Sequence, residues 1–204
     1  AAPLAEAQRA LPPAEMAALA TDLLHASLAA LGVFEGRPAG LLDKYDRWLA
    51  TSLDLLVASG RLAAADGRPG PAAPEGDLAA LWQAWEAAMP AWASNPQLAA
   101  QARLLEACLR ALPEVLTGAV EAPAVLFPNS SLELVEGIYR GNAVAELYNR
   151  ILYDAVAAAA EAWLGRDPTA RLRILEIGAG TGGTTAGLLQ RLDDYAGRIE
   201  EYCC

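Results

Sequence analysis

Arg171-Leu172-Arg173-Ile174-Leu175-Glu176-Ile177-Gly178-Ala179-Gly180-Thr181-Gly182-Gly183-Thr184 decides how this chain is read. The first seven residues have the length and propensity of a strand. A glycine loop follows, Gly178 to Gly183, and then a helical run from Thr184 to Leu192. Arg198 to Cys203 reads as a second strand. This order places backbone N–H groups and a helix N-terminus at the carboxyl end of the first strand, where open α/β sheets bind nucleotides. Glycines there permit positive φ and let a ligand approach the backbone. A loop without a ligand is the weaker reading, because closely spaced glycines cost backbone entropy with no folding return. Parallel strands need neighbours and helices on both faces, so the expectation is a Rossmann-like domain that begins here and is unfinished at residue 204.

Two motifs fit the same letters. Gly178-x-Gly180-x-x-Gly183 matches the dinucleotide fingerprint, and Glu176-x-Gly178-x-Gly180-x-Gly182 matches the acidic-first glycine motif of S-adenosylmethionine-dependent methyltransferases. Charge separates them. A dinucleotide brings a pyrophosphate that a carboxylate at Glu176 repels, whereas S-adenosylmethionine brings an ammonium and a sulfonium that a carboxylate suits. The 170 residues ahead of the first strand also set the chain apart from a dehydrogenase.

Those preceding residues read as helices. Pro12-Pro13 opens the first, which carries Leu19, Leu23, Leu24, Leu28 and Leu31 and stops at Gly32. Leu41 to Ala58 repeats the pattern and stops at Gly60, and Arg61-Leu62-Ala63 suits a short strand or wing. Asp66 to Gly76, rich in Pro and Gly, is a loop. Asp77 caps a third helix with Leu81, Trp82 and Trp85, and Asn95-Pro96 starts a fourth that Pro113 bends or ends. Trp82, Trp85 and Trp92 read as core filling ahead of an aromatic binding surface. Val120 to Pro128 is a connector. Ser130 and Glu133 make a capping-box pattern for a helix Leu132 to Arg140, in which Glu136 can pair with Arg140. Gly141-Asn142 interrupts; Asn142 caps a helix running to Leu164 and ended by Gly165, and Asp167-Pro168 is a turn. The domain reading is therefore a helical subdomain over 1–119, connector and helices over 120–170, and the first β-α-β unit over 171–204.

Composition agrees with a largely helical chain. Of 204 residues, 47 are Ala, the residue that loses least on entering a helix. Fifteen basic against 25 acidic residues leave a net charge of −10, which disfavours nucleic acid and anionic lipid as partners. No apolar run reaches the roughly 20 residues of a membrane span, and the N-terminal residues lack a signal peptide's basic and apolar regions. The absent initiator Met is read as excision from a larger protein. Cys108, Cys203 and Cys204 have no metal spacing and read as reduced, cytoplasmic thiols.

Three stretches carry a family resemblance: Leu126-Phe127-Pro128-Asn129-Ser130-Ser131-Leu132-Glu133-Leu134-Val135-Glu136-Gly137-Ile138-Tyr139-Arg140-Gly141-Asn142, then Ile174 to Thr184, then Arg198-Ile199-Glu200-Glu201-Tyr202-Cys203. Together they resemble the methyltransferase domains of bacterial modular polyketide synthases, those of trans-acyltransferase assembly lines above all. The likeness is dense from Leu104 to Cys204 and looser before. It implies a mainly α N-terminal lid followed by the start of an α/β Rossmann-like methyltransferase core. It implies S-adenosylmethionine as cofactor, an acyl-carrier-protein thioester as substrate, and neighbouring synthase domains as partners. In C-methylating members a β-ketoacyl chain loses an α-proton to a general base and the enolate takes the methyl group; in O-methylating relatives a β-hydroxyl is the nucleophile. A degenerate module kept for docking or architecture is the third reading.

By the resemblance, Glu176, Gly178, Gly180 and Gly182 line the methionine and ribose part of the cofactor. Tyr139 and Asn142, at the helix break ahead of the core, contact cofactor or substrate; equally, Asn142 caps a helix and Tyr139 packs on the lid. Tyr148 reads as packing. The family's general base is a His downstream of the cofactor motif, which is expected beyond residue 204, so the catalytic residue is unknown. The sole histidine, His25, lies far upstream beside Leu24 and Leu28 and reads as a helix residue. Strand alternation points only one of Glu200 and Glu201 inward, and both are early for the ribose-binding acid. A carrier protein is acidic like this chain, so docking needs a local basic patch, with Arg37, Arg47, Arg61 and Arg68 as candidates, or covalent tethering. An unfinished sheet edge predicts association of the isolated chain.

Overall fold

A computed structural model describes residues 4, 7, 8, 11–65, 68–70, 77–139, 141–180 and 182–204. They form two compact units, Leu11–Tyr139 and Arg140–Cys204, the latter with the described residues of the first ten. The expected fold class is the observed one: a helical region, then the start of an α/β unit.

The first unit is helical. In α1 (Ala14–Ala30) the chain leaves Pro13, whose fixed φ suits a helix start. It ends with the paired bonds of a Schellman turn, Gly32 N–H to Ala29 O at 2.8 Å and Val33 N–H to Leu28 O at 3.1 Å. A 3-10 turn over Asp43–Tyr45 leads into α2 (Asp46–Ala58), which stops the same way at Gly60. Helices α3 (Leu78–Ala93), α4 (Pro96–Arg110), α5 (Leu112–Thr117), α6 (Ala122–Leu126) and α7 (Glu133–Tyr139) complete the unit. Met16, Leu23 and Leu28 from α1, Leu56 from α2, Trp85 and Trp92 from α3, and Leu109 from α4 share one core. Trp85 and Trp92 meet edge-to-face with centroids 4.9 Å apart, an arrangement favoured by the ring quadrupoles. Trp82 lies at the core's edge, under the Arg110 guanidinium at 3.9 Å. Arg110 in turn pairs with Glu86 and Glu106.

Several boundaries differ from the sequence reading. The stretch read as a loop from Asp66 contains strand residues Arg68–Gly70 (β2), paired antiparallel with Ala63–Ala65 (β1); residues 66, 67 and 71–76 lie outside the described ones. Asp77 stands at the cap position of α3, but its side chain makes no cap bond. The connector holds α6, started by Pro123 in its first turn. The cap of α7 comes from Ser131, whose Oγ accepts from Glu133 N–H at 3.2 Å, because Ser130 is turned to a φ of +62°. Arg140, and with it the expected pair to Glu136, lies outside the described residues. Arg37 pairs with Asp43 and Asp46, and Arg61 with Asp22, so neither lends its full charge to a basic patch; the Arg68 side chain is outside the description.

The second unit begins with α8 (Ala143–Arg166), capped by Asn142, whose Oδ1 accepts from Val144 N–H at 2.9 Å and Ala145 N–H at 3.1 Å. This helix runs through Gly165, where a stop was expected, because the Asp167 side chain supplies the turn by accepting from Thr169 N–H at 2.8 Å. Then come β3 (Leu172–Leu175), α9 (Gly183–Arg191), a 3-10 segment over Asp193–Arg198 and β4 (Ile199–Cys203). The strands pair in parallel, Leu172 with Ile199 but Arg173 with Glu201, so the register slips by one residue at Glu200. Ala157 and Ala160 of α8, Leu188 and Leu192 form the core, with Leu172, Ile174, Ile199 and Tyr202 packed against it. The other face of β3 is open: Leu175 is 71% exposed and Ile177 89%. Among the described residues no helix is long and apolar enough to cross a membrane.

Candidate functional site

The site is built where β3 ends. Glu176 N–H still belongs to the sheet, donating to Cys203 O at 2.8 Å. Beyond it Gly178, Gly180 and Gly182 take φ values of +83°, +57° and +76°, the left-handed region that L side chains avoid. Those turns bring the chain round to Gly183, the first residue of α9, with Gly182 N–H bonded to Ala179 O at 2.9 Å. The space beside the loop is free, since a Cβ on Gly178 or Gly182 meets nothing within 4 Å. Glycine takes these φ values without steric strain, at a cost in backbone entropy, and the turn leaves room for a ligand against the main chain. Thr181 lies outside the described residues.

The Glu176 side chain follows Ile174 onto the half-buried face. Its Oε2 accepts from the Tyr202 hydroxyl at 2.6 Å and from the Thr185 hydroxyl at 2.7 Å. Both bonds favour the charged form and hold the carboxyl below its ordinary pKa. Burial first, and then the bond to Glu176, pushes the Tyr202 phenol up to about 12, so it stays a donor. From α8, Asn149 accepts from the Thr184 hydroxyl at 3.2 Å. The Tyr153 phenol lies against Gly187, and its pKa is raised by burial and then by the charges of Glu176 and Glu146.

This places an ionised carboxylate next to a helix N-terminus and an open turn of backbone. A ligand that combines a cation with hydrogen-bond acceptors satisfies both halves. A pyrophosphate meets the carboxylate's repulsion.

Glu176 and the three glycines lie together where β3 ends. Asn142 is buried and its oxygen is spent on the helix cap. Tyr139 is the last residue of α7 and 60% exposed, so it does not pack as the alternative expected. Tyr148, also read as packing, is 68% exposed. Sequence reasoning missed Tyr202, Thr185, Asn149 and Tyr153. It weighed Glu200 against Glu201 as the inward residue of β4; the slipped register exposes both and turns Tyr202 in, while Glu201 pairs with Arg173 on the outer side. Among the described residues no cluster of ligating side chains suits a metal ion. His25 is buried in the helical unit, stacked on Phe34 at 4.9 Å.

No family model matches the chain. It is 42% identical over 159 residues to the polyketide synthase PksM of Bacillus subtilis, covering 78% of this chain and 4% of that protein. To PksR of the same organism it is 38% identical over 183 residues, covering 89% and 7%. To ThaQ of Burkholderia thailandensis it is 41% identical over 161 residues, covering 78% and 8%. Among solved structures, the DszA carbon methyltransferase superposes with a TM-score of 0.70 at 29% identity, over 90% of this chain and 49% of that one. The CurJ carbon methyltransferase shares the fold, with a TM-score of 0.67 at 24% identity. The chain thus spans a small part of the synthases and 49% of the DszA chain.

Proposed function

From homology to segments of polyketide synthases and the fold of carbon methyltransferases, we propose that this chain is the lid and the cofactor-binding beginning of a polyketide C-methyltransferase. The lid corresponds to 11–139 and the start of the core to 140–204. The observation that carries the reading is the ionised Glu176 beside the positive-φ loop of Gly178, Gly180 and Gly182. S-adenosylmethionine fits that pair of features, its ammonium and sulfonium answering the carboxylate and its polar groups the loop N–H donors. When bound, it supplies a methyl group on a positively charged sulfur.

The roles of this chain's own residues are then binding and orientation. Glu176 neutralises cationic charge and fixes the cofactor's direction. The glycine loop permits close approach, and α9 offers its N-terminal donors. The acceptor we propose is the α-carbon of a β-ketoacyl thioester on an acyl carrier protein. Carbon is preferred over a β-hydroxyl oxygen because the DszA structure, 29% identical to this chain, is a carbon methyltransferase. No residue described here is assigned as the general base; His25 packs within the helical core.

The test is calorimetric titration with S-adenosylmethionine, on this chain alone and on one extended to the length of the DszA protein. Binding is expected, weakened about tenfold or more by Glu176→Gln, as for loss of a charged hydrogen-bond partner. Binding by the longer protein alone still supports the reading; no binding by either protein, with both folded, overturns it.

A further inference from the structure

We infer that Tyr202 and Thr185 are positioning residues that clamp one oxygen of Glu176 and so present the other to the cofactor's cation. The inference rests on the cofactor reading above. Its geometry does not: a carboxylate that accepts from a phenol at 2.6 Å and an alcohol at 2.7 Å, both on Oε2, is held by two different elements, β4 and α9. An ionised carboxylate has about four acceptor sites, two on each oxygen. The two hydroxyls occupy those of Oε2, so a ligand cation is directed to Oε1.

The device depends on the register slip in the sheet. Ile199 packs inward, and simple alternation from it brings Glu201 inward next. Instead Arg173 pairs with Glu201 and Ile174 with Tyr202, so a phenol rather than a second carboxylate reaches Glu176. A second carboxylate there repels the first and raises its pKa; the phenol donates to it. Among the described residues, other ionisable groups lie by the cluster: Tyr153 of α8, which itself faces Glu146, and Cys204 just past the end of β4, whose charge acts on Tyr202. A carboxylate already fixed by two bonds has less freedom to lose when a ligand binds, which is how preorganisation strengthens affinity.

The test uses Tyr202→Phe, which keeps the ring, and Thr185→Val, which keeps the side-chain shape. Carbon-13 NMR of the Glu176 carboxyl reads its titration, and calorimetry reads S-adenosylmethionine affinity across pH. Each variant is expected to raise the Glu176 pKa toward the ordinary glutamate value and to weaken binding about three- to tenfold. The acid limb of binding should move to higher pH with it. An unchanged Glu176 titration in both folded variants overturns the clamp. A shifted titration with unchanged affinity overturns its positioning role. A shifted titration in a protein whose wild type never binds S-adenosylmethionine overturns the cofactor reading, and the positioning role with it, but leaves the clamp confirmed by the titration alone.

Discussion

The two units use their apolar residues differently. The helical unit buries large side chains: Trp85, Met16, Leu23, Leu28 and Leu56 are fully buried in a single core, although Trp48 stays 40% exposed. Among the described residues, the unit with the parallel strands buries alanines and leucines, with Ala157, Ala160, Leu188 and Leu192 at its centre, while Tyr148, Trp163, Leu175 and Ile177 stay exposed. Hydrophobic stabilisation scales with apolar area removed from water, so the first unit rests on burial. The second draws proportionally more on the Asn142 cap, the two-strand ladder and the hydroxyl bonds to Glu176.

Trp85→Ala should produce the largest effect. Removing a fully buried indole that meets both Trp82 and Trp92 is expected to cost about 3–5 kcal/mol, read from urea unfolding followed by near-ultraviolet dichroism. A cost below about 1 kcal/mol would erase the contrast between the units.

Gly187→Ala probes the other unit. Helix propensity alone favours Ala by about 1 kcal/mol. A Cβ at this position, however, runs into the Tyr153 ring and hydroxyl, and such overpacking costs about 1–3 kcal/mol. A net loss in thermal stability is expected, and a gain would show that α8 and α9 yield freely.

The smallest effect is a pH dependence of the helical unit. Burial first lowers the His25 pKa below 6.5, the Asp22 charge opposes this, and Arg61 adds to it. Among the described residues its Nε2 has no hydrogen-bond partner. With the folded pKa below the unfolded one, the unfolded state takes the proton first. The stability held above pH 6.5 is therefore lost as pH falls through the folded pKa. Thermal melts between pH 7.5 and 5 should decline more steeply for wild type than for His25→Leu; parallel slopes would show that His25 is accessible to water after all.

Much of the fold was legible. The helices of the first unit announced themselves through apolar spacing and through Gly32 and Gly60, and Asn95 and Asn142 cap where their residue type foretold. The glycine loop and Glu176 were legible because few other residues tolerate those φ values and because a lone acid at a strand end has a plain electrostatic meaning. Ser130 and Glu133 match the capping-box spacing, but a left-handed turn at Asn129 and Ser130 leaves the cap to Ser131. Gly165 was read as a stop, but a helix interior tolerates one glycine when the chain beyond it supplies its own turn.

Local sequence, then, determined the order of elements, the caps and the charged glycine loop, because each depends on neighbours within a few residues. Tertiary structure alone decided which residue of β4 turns toward Glu176. A slip of one position in a period-two strand reverses every side chain after it. That slip is set by how β4 pairs with β3 across the sheet, which no pattern within Arg198-Ile199-Glu200-Glu201-Tyr202-Cys203 records.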